Sequence, residues 1–172
     1  MLYFRSFLAI LLLCILSGCM PFNHMRTSGL SLGYTSPPIS SIVISKEARR
    51  LYLFSGKTLV KAYRVGLGFD PIGDKKITGD GKTPEGRYYI DRKNPKSLFF
   101  LSLGISYPDK SDLTEAESLG KSAGGDIFIH GEDSKPHFFN RDWTAGCIAL
   151  RNADISEIYD VVNIGTPIFI RP

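Results

Sequence analysis

From residue 41 the chain alternates apolar and polar positions with a period of two. Ser41-Ile42-Val43-Ile44-Ser45 is a short apolar run, and between Arg50 and Phe54 the side chains of Leu51 and Leu53 stand against those of Tyr52 and Phe54. A period of two sends successive side chains to opposite faces of a strand, so both segments are predicted strands. Ser55-Gly56-Lys57 interrupts the pattern with turn residues, and Leu59 to Val65 completes a predicted hairpin. Further strands are predicted at Arg87 to Asp91, Phe99 to Ile105, Asp126 to His130, Gly146 to Leu150 and Thr166 to Arg171. Two helices are predicted. Asp112-Leu113-Thr114-Glu115 reads as a capping box with Asp112 at the cap position, and Gly120 reads as the stop. Ile155, Ile158, Tyr159 and Val162 recur at i, i+3, i+4 and i+7, the stripe of a helix packed on a core. The sum is a mainly β domain with a few short helices and no internal repeat.

The first residues follow a different rule. Arg5 supplies a short positive region, Phe7 to Ile15 is an apolar run, and small residues follow at Ser17 and Gly18 before Cys19. This is the layout of a secretory signal, and the run is too short for a permanent membrane span. Leu16-Ser17-Gly18-Cys19 resembles the lipobox of bacterial lipoproteins. That resemblance implies cleavage before Cys19 and acylation of its sulfur and new amino group, which would hold the protein on a membrane. A plain signal peptide with an incidental Cys is the alternative. Residues 20 to 40 hold Pro21, Ser28, Gly29, Gly33, Ser36, Pro37 and Pro38, the composition of a tether. The expected organisation is therefore a lipoprotein signal peptide at 1–18, a flexible tether at 19–40 and one catalytic domain at 41–172.

A chain of 172 residues fits a single domain with a proper core. The net charge of +4 is spread along the chain with no block of like charges. That excludes the dense basic stripe of a nucleic-acid binder and leaves a weak attraction to an anionic wall or membrane.

Cysteine arithmetic sharpens the picture. Cys14 leaves with the signal peptide and Cys19 is lipidated on the reading above, so Cys147 is one thiol without an intramolecular partner in an exported domain. Such a thiol is either reactive or a buried inert hydrophobe. Its surroundings are Thr144-Ala145-Gly146-Cys147-Ile148, where a loop enters a predicted strand. His130 ends the predicted strand Asp126 to His130 and is followed by Gly131. Two neighbouring strands delivering a His and a Cys would form a catalytic pair, the imidazole taking the thiol proton or depressing the thiol pKa as an ion-pair partner. Consecutive amides around Gly146 and Cys147 would hold an oxyanion. A structural His and a buried Cys account for the same residues. His24 lies in the tether, and His137, in Lys135-Pro136-His137-Phe138-Phe139, competes for the role of base or touches substrate. One Cys and spaced histidines, without a CxxC or HxxxH pair, do not make a zinc site; no metal or cofactor is expected.

Ile129-His130-Gly131 followed by Thr144-Ala145-Gly146-Cys147-Ile148 resembles the motif of the L,D-transpeptidase catalytic domain family: His-Gly, a gap of this size, then Ser/Thr-x-Gly-Cys and an apolar residue. Gly79-Asp80-Gly81-Lys82-Thr83-Pro84-Glu85-Gly86 is similar to the family's Thr-Pro-x-Gly loop, and Tyr63-Arg64-Val65-Gly66-Leu67-Gly68 to the strand before it. The likeness covers roughly residues 41 to 171. It implies a mixed β-sandwich with the Cys and His in a groove. By the same resemblance Cys147 is the nucleophile, His130 the general base and acid, and Gly131 the residue whose carbonyl orients the imidazole. The amides of Ala145, Gly146 and Cys147 form the oxyanion hole, with Thr144 lining it. Asp142-Trp143-Thr144 is similar to one branch of the family. Trp143 either lines the groove or anchors the loop.

Two positions depart from the family pattern. Many members carry a second His two residues before the Cys, where this chain has Ala145, and many carry Arg two residues after it, where this chain has Ala149. Arg151 lies two further on and is given no role. The implied activity is attack of the Cys147 thiolate on a peptidoglycan stem peptide with release of D-alanine. The acyl group then passes to an amine of another stem or of a wall-attached protein. The expected location is a lipid anchor facing the periplasm, with the outer membrane preferred because Met20, not Asp, follows Cys19. Resolution by water would make the same acyl-enzyme a peptidoglycan hydrolase, and a catalytically silent wall-binding lipoprotein is a rival of another class. A papain-like wall endopeptidase has Cys before His; here His130 precedes Cys147.

Overall fold

The computed structural model describes residues 37–132 and 141–172. In chain order the elements are β1 (Ser41–Ser45), β2 (Arg50–Ser55), β3 (Thr58–Arg64), β4 (Gly86–Ser97), β5 (Phe100–Ile105), α1 (Lys110–Ser118), β6 (Phe128–His130), β7 (Ile148–Ala149), α2 (Asn152–Val161) and β8 (Pro167–Arg171). The period-two pattern does what it predicts: Ile42 and Ile44 of β1, and Leu51 and Leu53 of β2, are buried while their neighbours are partly exposed. β3 behaves as an edge strand, with Tyr63 its one buried residue.

The strands form one mixed sheet in the order β3-β2-β1-β8-β4-β5-β6-β7. β1 runs parallel to β8 and β6 parallel to β7; the other pairs are antiparallel. β4 belongs to both halves. Gly86 to Tyr89 pair with β8, and from Ile90 onward the strand pairs with β5. Register shifts at Ile90/Arg92 and Asn94/Ser97 mark the β4–β5 pairing, and such irregularities bend a strand. One apolar core collects residues from both halves, among them Ile42, Leu51, Leu103, Ile129, Ile148 and Ile168. The expected β-sandwich thus takes the form of a single sheet folded over one core.

The two ends of the sheet meet. Beyond β3, Gly66 and Ala149 exchange both backbone hydrogen bonds at 2.9 Å, and Gly68 forms a bridge with Thr144. This approach demands glycine: a Cβ on Gly66 would lie 2.0 Å from the Arg141 carbonyl oxygen, and one on Gly68 2.0 Å from that of Gly81.

α1 starts earlier than its sequence suggests. Asp109 is the N-cap, accepting from the Ser111 and Asp112 amides, and Asp112 is the N3 residue reaching back to the Asp109 amide at 2.8 Å. The capping box is real but shifted by three residues, because two acids at that spacing both fit the cap. α2 carries the predicted stripe, with Ile155 and Ile158 fully buried.

Candidate active site

Short parallel strands set the site. β6 and β7 pair Ile129 with Ile148 and His130 with Ala149. The same register places Cys147, at the entry to β7, opposite Phe128, whose amide donates to the Cys147 Sγ at 3.4 Å. Side chains alternate across a strand, so Cys147, Ala149 and His130 share one face while Ile129, Ile148 and Leu150 enter the core. Diagonal neighbours on one face have Cα separations on the order of 7–8 Å, within reach of long or aromatic side chains.

His130 is buried and its orientation is fixed. Its Nδ1 lies 2.6 Å from the carbonyl oxygen of Gly131. A carbonyl only accepts, so Nδ1 carries the proton and Nε2 is the basic nitrogen. Phe99 lies over the imidazole with ring centres 4.5 Å apart, and Trp143 meets it edge-on at 5.7 Å. Gly131 sits against the Phe99 carbonyl and the Asn152 side chain, at 2.8 and 2.4 Å from the position of any added Cβ.

The thiol of Cys147 is in a drier place than a resting thiolate needs. Its Sγ donates to the carbonyl oxygen of Asp126 at 3.5 Å. Burial pushes the thiol up, and the Asp126 carboxylate adds to this; the Phe128 amide and the Lys75 ammonium pull the other way and lose. Of the two options read from the sequence, the raised thiol favours the imidazole taking the thiol proton over a thiolate held as an ion pair.

The loop before Cys147 is fastened at several points. The Asp142 carboxylate accepts from Arg49, at 3.0 Å from Nε and 2.8 Å from Nη2, and from the Leu67 amide at 3.0 Å. Thr144 is buried; its hydroxyl donates to the Cys147 carbonyl at 2.7 Å and accepts from the Gly146 amide at 3.1 Å. Thr144, expected to line the oxyanion hole, has its hydroxyl turned inward as a brace of this turn. The Gly146 amide is satisfied by that brace, so of the three expected oxyanion donors those of Ala145 and Cys147 have no partner among the described residues. Gly146 has a φ of 136° and its Cα lies against the Lys82 carbonyl, 2.7 Å from an added Cβ, so glycine is required at this position.

The opposite wall is the glycine-rich loop before β4. Thr83 is fully buried and its hydroxyl accepts from the Gly68 amide at 3.0 Å. The Asp80 carboxylate is partly desolvated, which raises its pKa. Donors from the Ile77, Lys76 and Lys82 amides and the Lys75 ammonium outweigh that and hold it below the usual carboxylate range. Lys46, also buried, donates to the Thr83 carbonyl at 2.9 Å, to Glu85 at 2.8 Å and to the Gly73 carbonyl. The motif similar to the family's Thr-Pro-x-Gly loop is thus a hydrogen-bonded cradle behind the Gly146-Cys147 turn.

His130, Gly131, Trp143, Ala145, Gly146 and Cys147 are brought together. His137, Cys19 and the tether lie outside the described residues. Asp142 and Asp80 were missed as site residues, since their partners lie far away in sequence or in the backbone. Among the described residues no cluster of His, Cys, Asp and Glu is arranged to hold a metal ion.

A folded mixed sheet presenting a carbonyl-locked imidazole and a thiol on one face defines a class of His–Cys β domains. The chain belongs to the YkuD family, the L,D-transpeptidase catalytic domain, whose model matches residues 40–170. It is 27% identical over 179 residues to YafK of Escherichia coli strain K12, provisionally named an L,D-transpeptidase, covering 96% of this chain and 67% of that protein. The helical cell shape determining protein Pgp2 of Campylobacter jejuni superposes with a TM-score of 0.62 at 29% identity, over 77% of this chain and 47% of that one. Bd1075 of Bdellovibrio bacteriovorus gives 0.57 at 28%, over 77% and 48%. An L,D-transpeptidase from Mycobacterium smegmatis, 14% identical, shares the fold at 0.52, over 76% and 58%. The chain spans about half the length of the first two solved relatives. The family acts on peptidoglycan stem peptides.

Proposed function

We propose that this protein is a cysteine-dependent L,D-transpeptidase of the cell wall. The observation that carries the reading is the 2.6 Å contact between His130 Nδ1 and the Gly131 carbonyl, which leaves Nε2 as the base on the face that bears Cys147. The thiol proton passes to Nε2 as Sγ attacks the carbonyl between the diamino acid at position three of a stem peptide and the D-alanine after it. The amides of Ala145 and Cys147 stabilise the oxyanion. D-alanine leaves with the proton from His130, and a thioester remains on Cys147. An amine of a second stem, or of a wall-attached protein, attacks the thioester while His130 takes its proton; the C–S bond breaks and His130 returns that proton to the Cys147 sulfur. No step needs a metal or a cofactor.

Burial pushes the Cys147 thiol up, which favours deprotonation by His130 within the attack step. Export and anchoring through an acylated Cys19, facing the periplasm and preferably on the outer membrane, complete the proposal. The likeness to a protein described as cell shape determining supports a role in wall remodelling.

The test is incubation with purified wall peptides and mass spectrometry of the products. A dimer crosslinked between two third-position residues is expected, and it should vanish in Cys147→Ala and His130→Ala. A shortened monomer as sole product would replace transfer by hydrolysis, and turnover surviving Cys147→Ala would overturn the proposal. Cys19→Ser should release the protein from the membrane fraction.

A further inference from the structure

A groove of about 930 Å³ opens beside the site, between the edge strand β3, the end of β7 and the start of α2. Ala149 is part of its lining and stands on the face that carries Cys147 and His130; Trp143 lines it too and contacts the imidazole edge-on. The groove is therefore continuous with the reacting residues through two side chains.

Its charges are unbalanced. Asp154 is held by Arg151 through two contacts of 2.7 Å, and Glu157 is taken by Lys61 and the Tyr63 hydroxyl. Arg50, Arg64 and Arg141 also line the groove, and none forms an ion pair among the described residues. Glu132 is one acid facing three such cations. Arg50 and Arg64 are directly opposite each other in the β2–β3 ladder. Like charges at such a pair of positions repel and weaken the sheet, so the arrangement opposes stability unless an anion enters between them.

The position of the missing family Arg fits this. Ala149 stands where many members have that Arg, and its small side chain, with Gly66 beside it, leaves the groove open toward the guanidinium groups of β2 and β3. We propose that this groove is a carboxylate-binding subsite for a peptide, with Arg50 and Arg64 gripping a free carboxylate of the stem. Guanidinium matches a carboxylate with two parallel hydrogen bonds, and Trp143 offers a flat apolar surface to the peptide between that anchor and the thiol. The proposal rests on the wall-peptide reading above for the identity of the peptide.

The experiment titrates Cys147→Ala protein, which binds without turnover, with a synthetic tetrapeptide stem and with the same peptide amidated at its free carboxylates. The free acid should bind at least tenfold more tightly, and Arg50→Gln/Arg64→Gln in the same background should erase that difference while leaving the amidated peptide unchanged. The thermal midpoint should hold or rise, since a repelling pair is removed; a fall would mark the arginines as structural. Equal binding of the two peptides, or an unchanged preference in the double variant, overturns the subsite. In the otherwise native enzyme the same two substitutions should raise KM for the free-acid donor and spare kcat if the donor stem occupies the groove. They should raise KM for the amine acceptor if the acceptor does. Binding that depends on the arginines in a protein without turnover would retain the subsite and overturn the enzyme, while turnover insensitive to them would do the reverse.

Discussion

At Cys147 burial outweighs every favourable neighbour and pushes the thiol up. Thiols react as thiolates, so the reactivity of the free protein follows deprotonation of this half-buried group. The rate of iodoacetamide labelling should climb through a midpoint above the ordinary thiol value of about 8.5. A midpoint below that value would mean a preformed ion pair with His130. The same shift has a consequence for stability. With the folded pKa above the unfolded one, the contribution is full below about 8.5 and is lost as the pH rises through the raised value. Substitution by Ala should flatten this alkaline limb of a pH–stability curve.

At the level of elements, the segment from Arg141 to Ala149 is a loop held as firmly as a strand. Asp142 joins it to the turn before β2 through Arg49 and to the segment beyond β3 through the Leu67 amide. Asp142→Ala leaves both donors without their acceptor, at about 1–3 kcal/mol of stability. A loop shift of about 1 Å can lower turnover roughly 100-fold. Thermal melting and kcat read both effects; a variant that melts early but turns over normally would separate the clamp from the chemistry. This clamp also marks the limit of what the sequence discloses. β1 and β2 are legible because one face is buried, and the stripe of α2 for the same reason. The far half of β4 is polar at Arg92, Lys93, Asn94 and Lys96, broken by Pro95, and pairs through its backbone with β5, which leaves no alternating pattern to read. His130 and Cys147 are legible because their chemistry is local to two short motifs. Asp142 is an ordinary acid until Arg49, 93 residues earlier, is placed beside it. Thr144 is placed by the motif alone, and only packing shows its hydroxyl turned to the Cys147 carbonyl and the Gly146 amide.

For the molecule as a whole, the decisive feature is the meeting of the two sheet ends at Gly66 and Ala149. Gly66→Ala drives a methyl group into the Arg141 carbonyl. Over-packing of this kind destabilises by about 1–3 kcal/mol. Gly125→Ala is the matched control, since an added Cβ there meets nothing closer than the Pro108 ring at 3.9 Å. The urea midpoint should fall for the first and stay for the second. Equal falls would mean that glycine content, not closure, sets the stability.

That meeting point also orders events in time. Gly66 and Ala149 are 83 residues apart along the chain, and contacts of long sequence separation bear the largest loop-closure cost. The thiol and the imidazole lie on strands that must pair before they share a face, and the wall behind them comes from the other end of the sheet. A chain that has not closed holds a solitary cysteine and a solitary histidine, each with ordinary chemistry. Maturation of this domain is then its own safety catch: on the proposed reading, the pair that attacks a stem peptide exists only once the sheet has closed.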